Sequence, residues 1–169
     1  MDVRTDVDFQ IVQEIAASPA AVDQALVDPE FLGRMAELPK LGSAEVLGQS
    51  RDGDVVRQQV RYLFQADLSS AITAVVDPKL LTWVEDSACD LAAHHTTCTI
   101  EPDHYENLLV ASYEAGLAEN GDTTRRTITG RLKVHVPLVG GKVERAILGG
   151  LEENAAAQAD LLAAWIADR

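Results

Sequence analysis

From Val7 to Ile15 apolar and polar positions alternate with a period of two. Val7, Phe9, Ile11 and Ile15 fall on one side and Asp8, Gln10 and Glu14 on the other, the pattern of a half-buried strand. The period then changes. Ser18-Pro19 sets a capping hydroxyl before a proline at the first helical position and opens the stretch AAVDQALV. Asp28-Pro29 repeats the device ahead of EFLGRMAEL, which Pro39 stops, so two short helices are predicted in tandem. After Gly42 strand signals return. Ala44–Arg51 and Asp54–Phe64 flank Asp52-Gly53, a dipeptide suited to the positive φ of a two-residue hairpin turn, and Gln58 shares a face with Val56, Val60, Tyr62 and Phe64. Ala66–Val76 fits a short helix and a strand equally, and Asp77-Pro78 breaks it. Leu80–Ser87, Ala92–Glu101 and Asn107–Leu117 read as further strands, and a turn at Asn120-Gly121 leads to the longest, Asp122–Val136. There Ile128, Leu132, Val134 and Val136 oppose Arg125, Thr127, Thr129, Arg131 and Lys133, and Gly130 on the apolar side predicts a bulge or sharp bend.

From Lys142 to Asp168 the period is helical. At 100° per residue, Val143, Ile147, Leu151, Ala155, Leu161, Leu162, Trp165 and Ile166 fall within an arc of about 140°. Such a helix is about 39 Å long, enough to cross a small sheet. Strands joined by short turns, with helices grouped near the start and at the end, give an α+β class. The expected architecture is a curved seven-stranded antiparallel sheet with two short helices after strand 1 and a long C-terminal helix over the concave face, in one domain spanning residues 1–169.

This order resembles the helix-grip fold of the START-like (SRPBCC) superfamily over nearly the whole chain. The superfamily includes polyketide cyclases and aromatases, lipid-transfer domains and pollen-allergen-like binders. More narrowly, the run from Pro137 to Glu144, PLVGGKVE, with Trp83 and the Ser18-Pro19 and Asp28-Pro29 starts, resembles a bacterial branch with no assigned function. The resemblance implies a cavity for an apolar small molecule between sheet and C-terminal helix. In that setting Gly140-Gly141 is expected to hinge the helix back over the sheet. A phosphate loop is not indicated, because no glycine lies five residues before Gly141 and Val143 follows Lys142.

Composition narrows the function. With 169 residues and 47% apolar content the chain can bury a sizeable core without disulfides. The formal charge of -13 opposes nucleic acid and anionic membrane surfaces alike. Neither a leader pattern in MDVRTDVDFQ nor 18 consecutive apolar residues occurs, so the chain is expected to be cytoplasmic, without stable membrane insertion. Cys89 and Cys98 read as small buried thiols.

The expected cavity wall comprises Phe9, Val56, Gln58, Val60, Tyr62, Trp83, Ile128, Leu132, Leu151, Asn154, Gln158 and Trp165, to which Tyr113 adds a phenol and Arg126 a partner for a ligand carboxylate at the pocket mouth. Asn154 and Gln158 lie one helical turn apart inside the apolar arc and need partners; a ligand, Gln58 or a buried water would serve. Gly149-Gly150 predicts either a bend or space beneath the helix, or close helix packing. His94 is the lone acid-base candidate, since no metal-ligand, nucleophile-elbow or cofactor motif is present. The leading expectation is a non-catalytic binder of a lipid-like or polyketide-like molecule in a cavity of at least about 300 Å³. Its rivals are a cyclase-like enzyme using His94, Tyr113 or Arg126 on one wall, and a protein-interaction module with a filled core. A monomer and a homodimer are equally compatible with the sequence.

Overall fold

The computed structural model describes residues 7–107 and 109–169. Leu108 and the stretch 1–6, read above for a leader, lie outside them. Strand β1 (Val7–Ile15) leads into α1 (Pro19–Leu26) and α2 (Pro29–Arg34), the latter continued by a 3₁₀ turn, Met35–Glu37. Both helices start as their sequences dictate: Ser18 Oγ accepts from the Ala21 N–H at 3.2 Å, and Asp28 Oδ1 from the Glu30 N–H at 2.9 Å. Then follow β2 (Leu41–Asp52), β3 (Val55–Phe64), a single helical turn α3 (Ser70–Thr73), a 3₁₀ turn (Pro78–Leu80), β4 (Thr82–Asp90), β5 (His95–Pro102), β6 (Leu109–Asn120), β7 (Thr123–Val134) and α4 (Gly140–Ala167).

The strands form one antiparallel sheet in the order β1-β7-β6-β5-β4-β3-β2. Strands β1 and β2 are therefore its two edges, and α1 and α2 carry the chain from one to the other. Helix α4 packs on β1 and β7 and against α1. The α+β architecture read from the sequence is the one observed.

Local differences have physical causes. Both predicted hairpin turns lie one residue later: Asp52 pairs with Val55 and Asn120 with Thr123, leaving Gly53-Asp54 and Gly121-Asp122 as the turns, with the positive φ on each glycine. The ambiguous Ala66–Val76 segment is irregular apart from α3. Strand β5 starts at His95 rather than Ala92, because the Asp90 carboxylate accepts from the Ala92 and Ala93 N–H groups and closes a tight turn ending at His94, whose φ is 53°.

Gly130 makes no bulge. Register runs evenly through Phe9, Gly130 and Tyr113, and the missing side chain leaves room for the Phe9 ring, which a Cβ there would meet at 2.5 Å. The irregularities sit in β2 instead, between Leu41 and Ser43 and between Val46 and Gly48. The Gly140-Gly141 pair is not the hinge either. The positive φ before α4 belongs to Leu138, at 70°, and both glycines are helical. Gly140 permits close approach, since a Cβ there would lie 3.2 Å from the Val134 carbonyl oxygen. Glu144, buried, reaches back so that its Oε1 accepts from the Val134 N–H at 3.2 Å.

Among the described residues two apolar clusters form the core. One joins α1, α2, the end of α4 and β3 around Val22, Phe31, Tyr62, Leu162 and Trp165. The other joins β6, β7 and the start of α4 around Ala111, Leu132, Val134 and Val136.

Candidate functional site

Between these clusters, under α4 from Val143 to Gln158, lies a cavity of about 220 Å³. Its wall is mainly apolar and draws on both clusters: Met35, Leu38 and Leu41 from one side, and Phe9, Leu132 and Ile147 from the other. Leu68, Ile72, Val76, Leu80 and Leu81, from the irregular segment between β3 and β4, close one end. That segment is tied down where the Asp77 N–H donates to the Tyr105 hydroxyl at 2.9 Å. His104, exposed, marks the rim. A second depression, of about 360 Å³, is an open surface groove bounded by Gln24, Val27, Asp28, Gln49, Ser50, Arg51 and Val56. Neither Glu85 nor Arg126 lines it.

Ten of the residues expected at the wall are there: Phe9, Tyr62, Trp83, Tyr113, Arg126, Ile128, Leu132, Leu151, Asn154 and Gln158. Four are not. Val56 and Gln58 lie nearer the β2–β3 turn, where Gln58 donates to the Leu26 carbonyl oxygen at 3.0 Å and accepts from Gln49 Nε2 at 3.0 Å. Val60 is sealed in the first apolar cluster. Trp165 belongs to the same cluster, edge-on to Phe31 with the Arg169 guanidinium 3.3 Å from its ring centre.

The three amides do not form a group either. Asn154 Oδ1 accepts from the Lys40 N–H at 2.8 Å, whereas Gln158 joins a network deep in the cavity. Of the two alternatives for the glycine pair, close packing holds at Gly150, where a Cβ would stand 3.0 Å from the Phe64 ring. Gly149 is exposed with open space about it, and the helix runs unbroken through both.

Besides Asn154 and the rim residue His104, the cavity wall carries two charged groups, Glu85 and Arg126. Glu85, on β4 next but one to Trp83, was not singled out by the sequence pattern, although it shares that residue's inward face. Its carboxylate accepts from the Tyr113 hydroxyl at 3.2 Å and from Trp83 Nε1 at 3.4 Å. It is half-buried in the cavity wall. Burial pushes its pKa up, against the opposing pull of the Trp83 and Tyr113 hydrogen bonds and the Arg126 charge. Burial, reinforced by the Glu85 charge, also lifts the Tyr62 and Tyr113 phenols well above their ordinary range.

The second is Arg126 on β7, buried opposite Gln13 of β1. Its Nη1 donates to Gln13 Oε1 at 3.0 Å and to Gln158 Oε1 at 3.1 Å. Gln13 Nε2 in turn donates to Gln158 Oε1 and to the Ala155 carbonyl oxygen, at 2.9 and 2.7 Å. Arg126 therefore sits far inside the fold, not at a pocket mouth. Gln13 is a further residue the sequence reading passed over, though its parity matches Phe9 and Ile15.

His94 stands apart from both. It lies in the β4–β5 turn, where its Nδ1 is hydrogen-bonded to the buried Asp23 carboxylate of α1. An enzyme that needs His94, Tyr113 and Arg126 on one wall is excluded, because only the last two line the cavity. Cys98 is buried and its thiol pKa is pushed up, chiefly by desolvation. Among the described residues no cluster of metal-ligating side chains occurs, and no helix is long and apolar enough to cross a membrane.

A sheet of this topology gripped by a C-terminal helix is the helix-grip fold, the fold that the sequence resembled. The chain belongs to the family described as protein of unknown function (DUF2505), whose model matches residues 10–166. No curated protein matches the chain. Among solved structures it is similar to TTHA0849 from Thermus thermophilus, with a TM-score of 0.70 and 20% identity over 96% of this chain and 98% of that one. It is similar to the Zhui aromatase/cyclase from Streptomyces sp. R1128, with a TM-score of 0.67 and 15% identity over 97% and 95% of the two chains. Norcoclaurine synthase from Thalictrum flavum gives a TM-score of 0.63 and 14% identity over 98% of this chain and 88% of that one. At these identities the likeness is one of fold.

Proposed function

We propose that the protein binds a small, largely apolar molecule in the cavity between α4 and the sheet. The observation that carries this reading is the cavity itself: an apolar space bounded by both core clusters, with a few polar groups converging on it. At about 220 Å³ it is smaller than the expected 300 Å³, so the ligand is below drug size and long-chain lipids are disfavoured. The aromatase/cyclase and norcoclaurine synthase likenesses fit a fold that encloses small molecules, and they lend support without naming a ligand. A filled-core interaction module is disfavoured by the same space.

Native mass spectrometry of freshly purified protein, with thermal-shift screening against a library of small aromatic and short aliphatic compounds, tests the reading. Retained mass or a saturable shift is expected, and Ala146→Phe, which fills the cavity from α4, is expected to abolish it. Absence of both signals from well-folded wild-type protein would refute it.

A second reading, acid-base catalysis, rests on Glu85 and Tyr113. A carboxylate with a raised pKa on a cavity wall is equipped to take a proton from carbon next to a carbonyl, and the Tyr113 O–H, turning from Glu85, to donate to the carbonyl oxygen. Deuterium exchange at the α-carbon of a small aryl ketone in D₂O, accelerated by wild type and lost in Glu85→Gln, is the outcome this reading requires. Equal exchange with and without protein rejects it.

A further inference from the structure

We infer that the cavity selects a monocarboxylate, with Arg126 as the receptor for its carboxylate group. This deepens the binding reading and rests on it.

A guanidinium carries its donors on three nitrogens. In Arg126 only Nη1 is used, by the amide oxygens of Gln13 and Gln158. Nε and Nη2 donate to no group among the described residues, and no side-chain nitrogen or oxygen described is both sealed from solvent and unpartnered. In a residue that is 6% exposed and lines the cavity, the accessible surface of those two nitrogens faces the cavity. Nε–H and the adjacent Nη2–H are parallel donors, the pair that receives the two oxygens of a carboxylate.

The charges around Arg126 leave that place open. Gln13 on β1 and Gln158 on α4 are neutral and hold the guanidinium in orientation. Asp23 on α1 is within electrostatic reach but is committed to His94. Glu85 on β4 is within reach and accepts from Tyr113 of β6 and Trp83, while Tyr62 on β3 is a buried neutral phenol. Neither acid forms an ion pair with Arg126. A buried cation whose hydrogen bonds all go to amide oxygens lacks a counter-charge in contact with it, and an anion entering the cavity supplies one. The apolar wall then accepts the rest of the molecule. Where Glu85 is protonated, its O–H adds a donor rather than a repulsive charge.

The test compares three probes that share a phenylethyl group, 3-phenylpropanoate, its isostere 3-phenylpropanamide and the cationic 3-phenylpropylamine, by calorimetric titration at neutral pH. The acid is expected to bind about tenfold or more tightly than the amide, and more tightly than the amine. Arg126→Met is expected to level the acid with the amide, and Arg126→Lys, which keeps the charge without the fork, to recover part of the difference. Glu85→Gln leaves Arg126 intact and is expected to tighten the acid. If the amide or amine binds as well as the acid to wild-type protein, the inference is overturned while the binding reading stands, and this comparison needs no variant to fold. If none of the three binds, both fall.

Discussion

At Glu85 the fold holds a carboxylate in a mainly apolar cavity wall, and the consequence is a defined pH dependence. Its pKa is raised by burial, so the contribution of Glu85 to stability is fully present below the usual carboxylate range and is lost as pH rises through the higher folded value. Glu85→Gln should therefore melt above wild type at neutral pH, with the gap closing as pH falls into that range; thermal melts across pH read this directly, and a gap that widens on acidification contradicts it. Gly130→Ala should cost about 1–3 kcal/mol by overpacking, because the new Cβ meets both the Phe9 ring and the Ser112 carbonyl oxygen, at 2.5 and 2.7 Å. Urea unfolding measures it. The inward placement of Phe9, Ile128 and Leu132 is legible from parity alone. Glu85 is not, because both faces of β4 are partly buried and no apolar period marks its inner side. His94 is misread as a strand residue because the Asp90 carboxylate closes a turn that a local apolar pattern does not register.

Helix α4 shows how far an element can be read from its own sequence. The amphipathic arc places Leu162 and Trp165 inward and Glu153 and Asp160 outward, and burial agrees. The two mid-helix glycines look alike in sequence, yet only the tertiary contact with Phe64 separates them. Gly149→Ala should stabilise the protein by about 1 kcal/mol, the helix-propensity difference, because nothing opposes the added methyl. Gly150→Ala should give no such gain, since its Cβ presses on the Phe64 ring at 3.0 Å. Equal gains from the two, in chemical denaturation, would contradict this packing. The PLVGGKVE run likewise acquires its meaning only in the fold: Leu138 turns the chain, Gly140 lets the helix start against the Val134 carbonyl oxygen, and Glu144 satisfies the Val134 N–H. The segment between β3 and β4 carries no clean period and resists assignment, although it closes one end of the cavity.

In the whole molecule, two apolar clusters meet around a space instead of merging into one. Element order suffices to place α4 over the sheet. Whether the interior beneath it is full depends on the summed volumes of side chains from nearly every element, which no local pattern encodes. The small side chains of Ala111 on β6 and Ala146 on α4 line the space between larger neighbours. Ligand binding requires that hollow to be real and reachable. Methyl-detected NMR of isotopically labelled protein, titrated with 3-phenylpropanoate, probes both at once. Saturable shifts are expected at Leu132, Ile147 and Leu151, with Val22 and Leu162 unmoved. Unperturbed cavity methyls at saturating probe, or shifts confined to the groove beside Val27 and Val56, would show that no guest enters beneath α4.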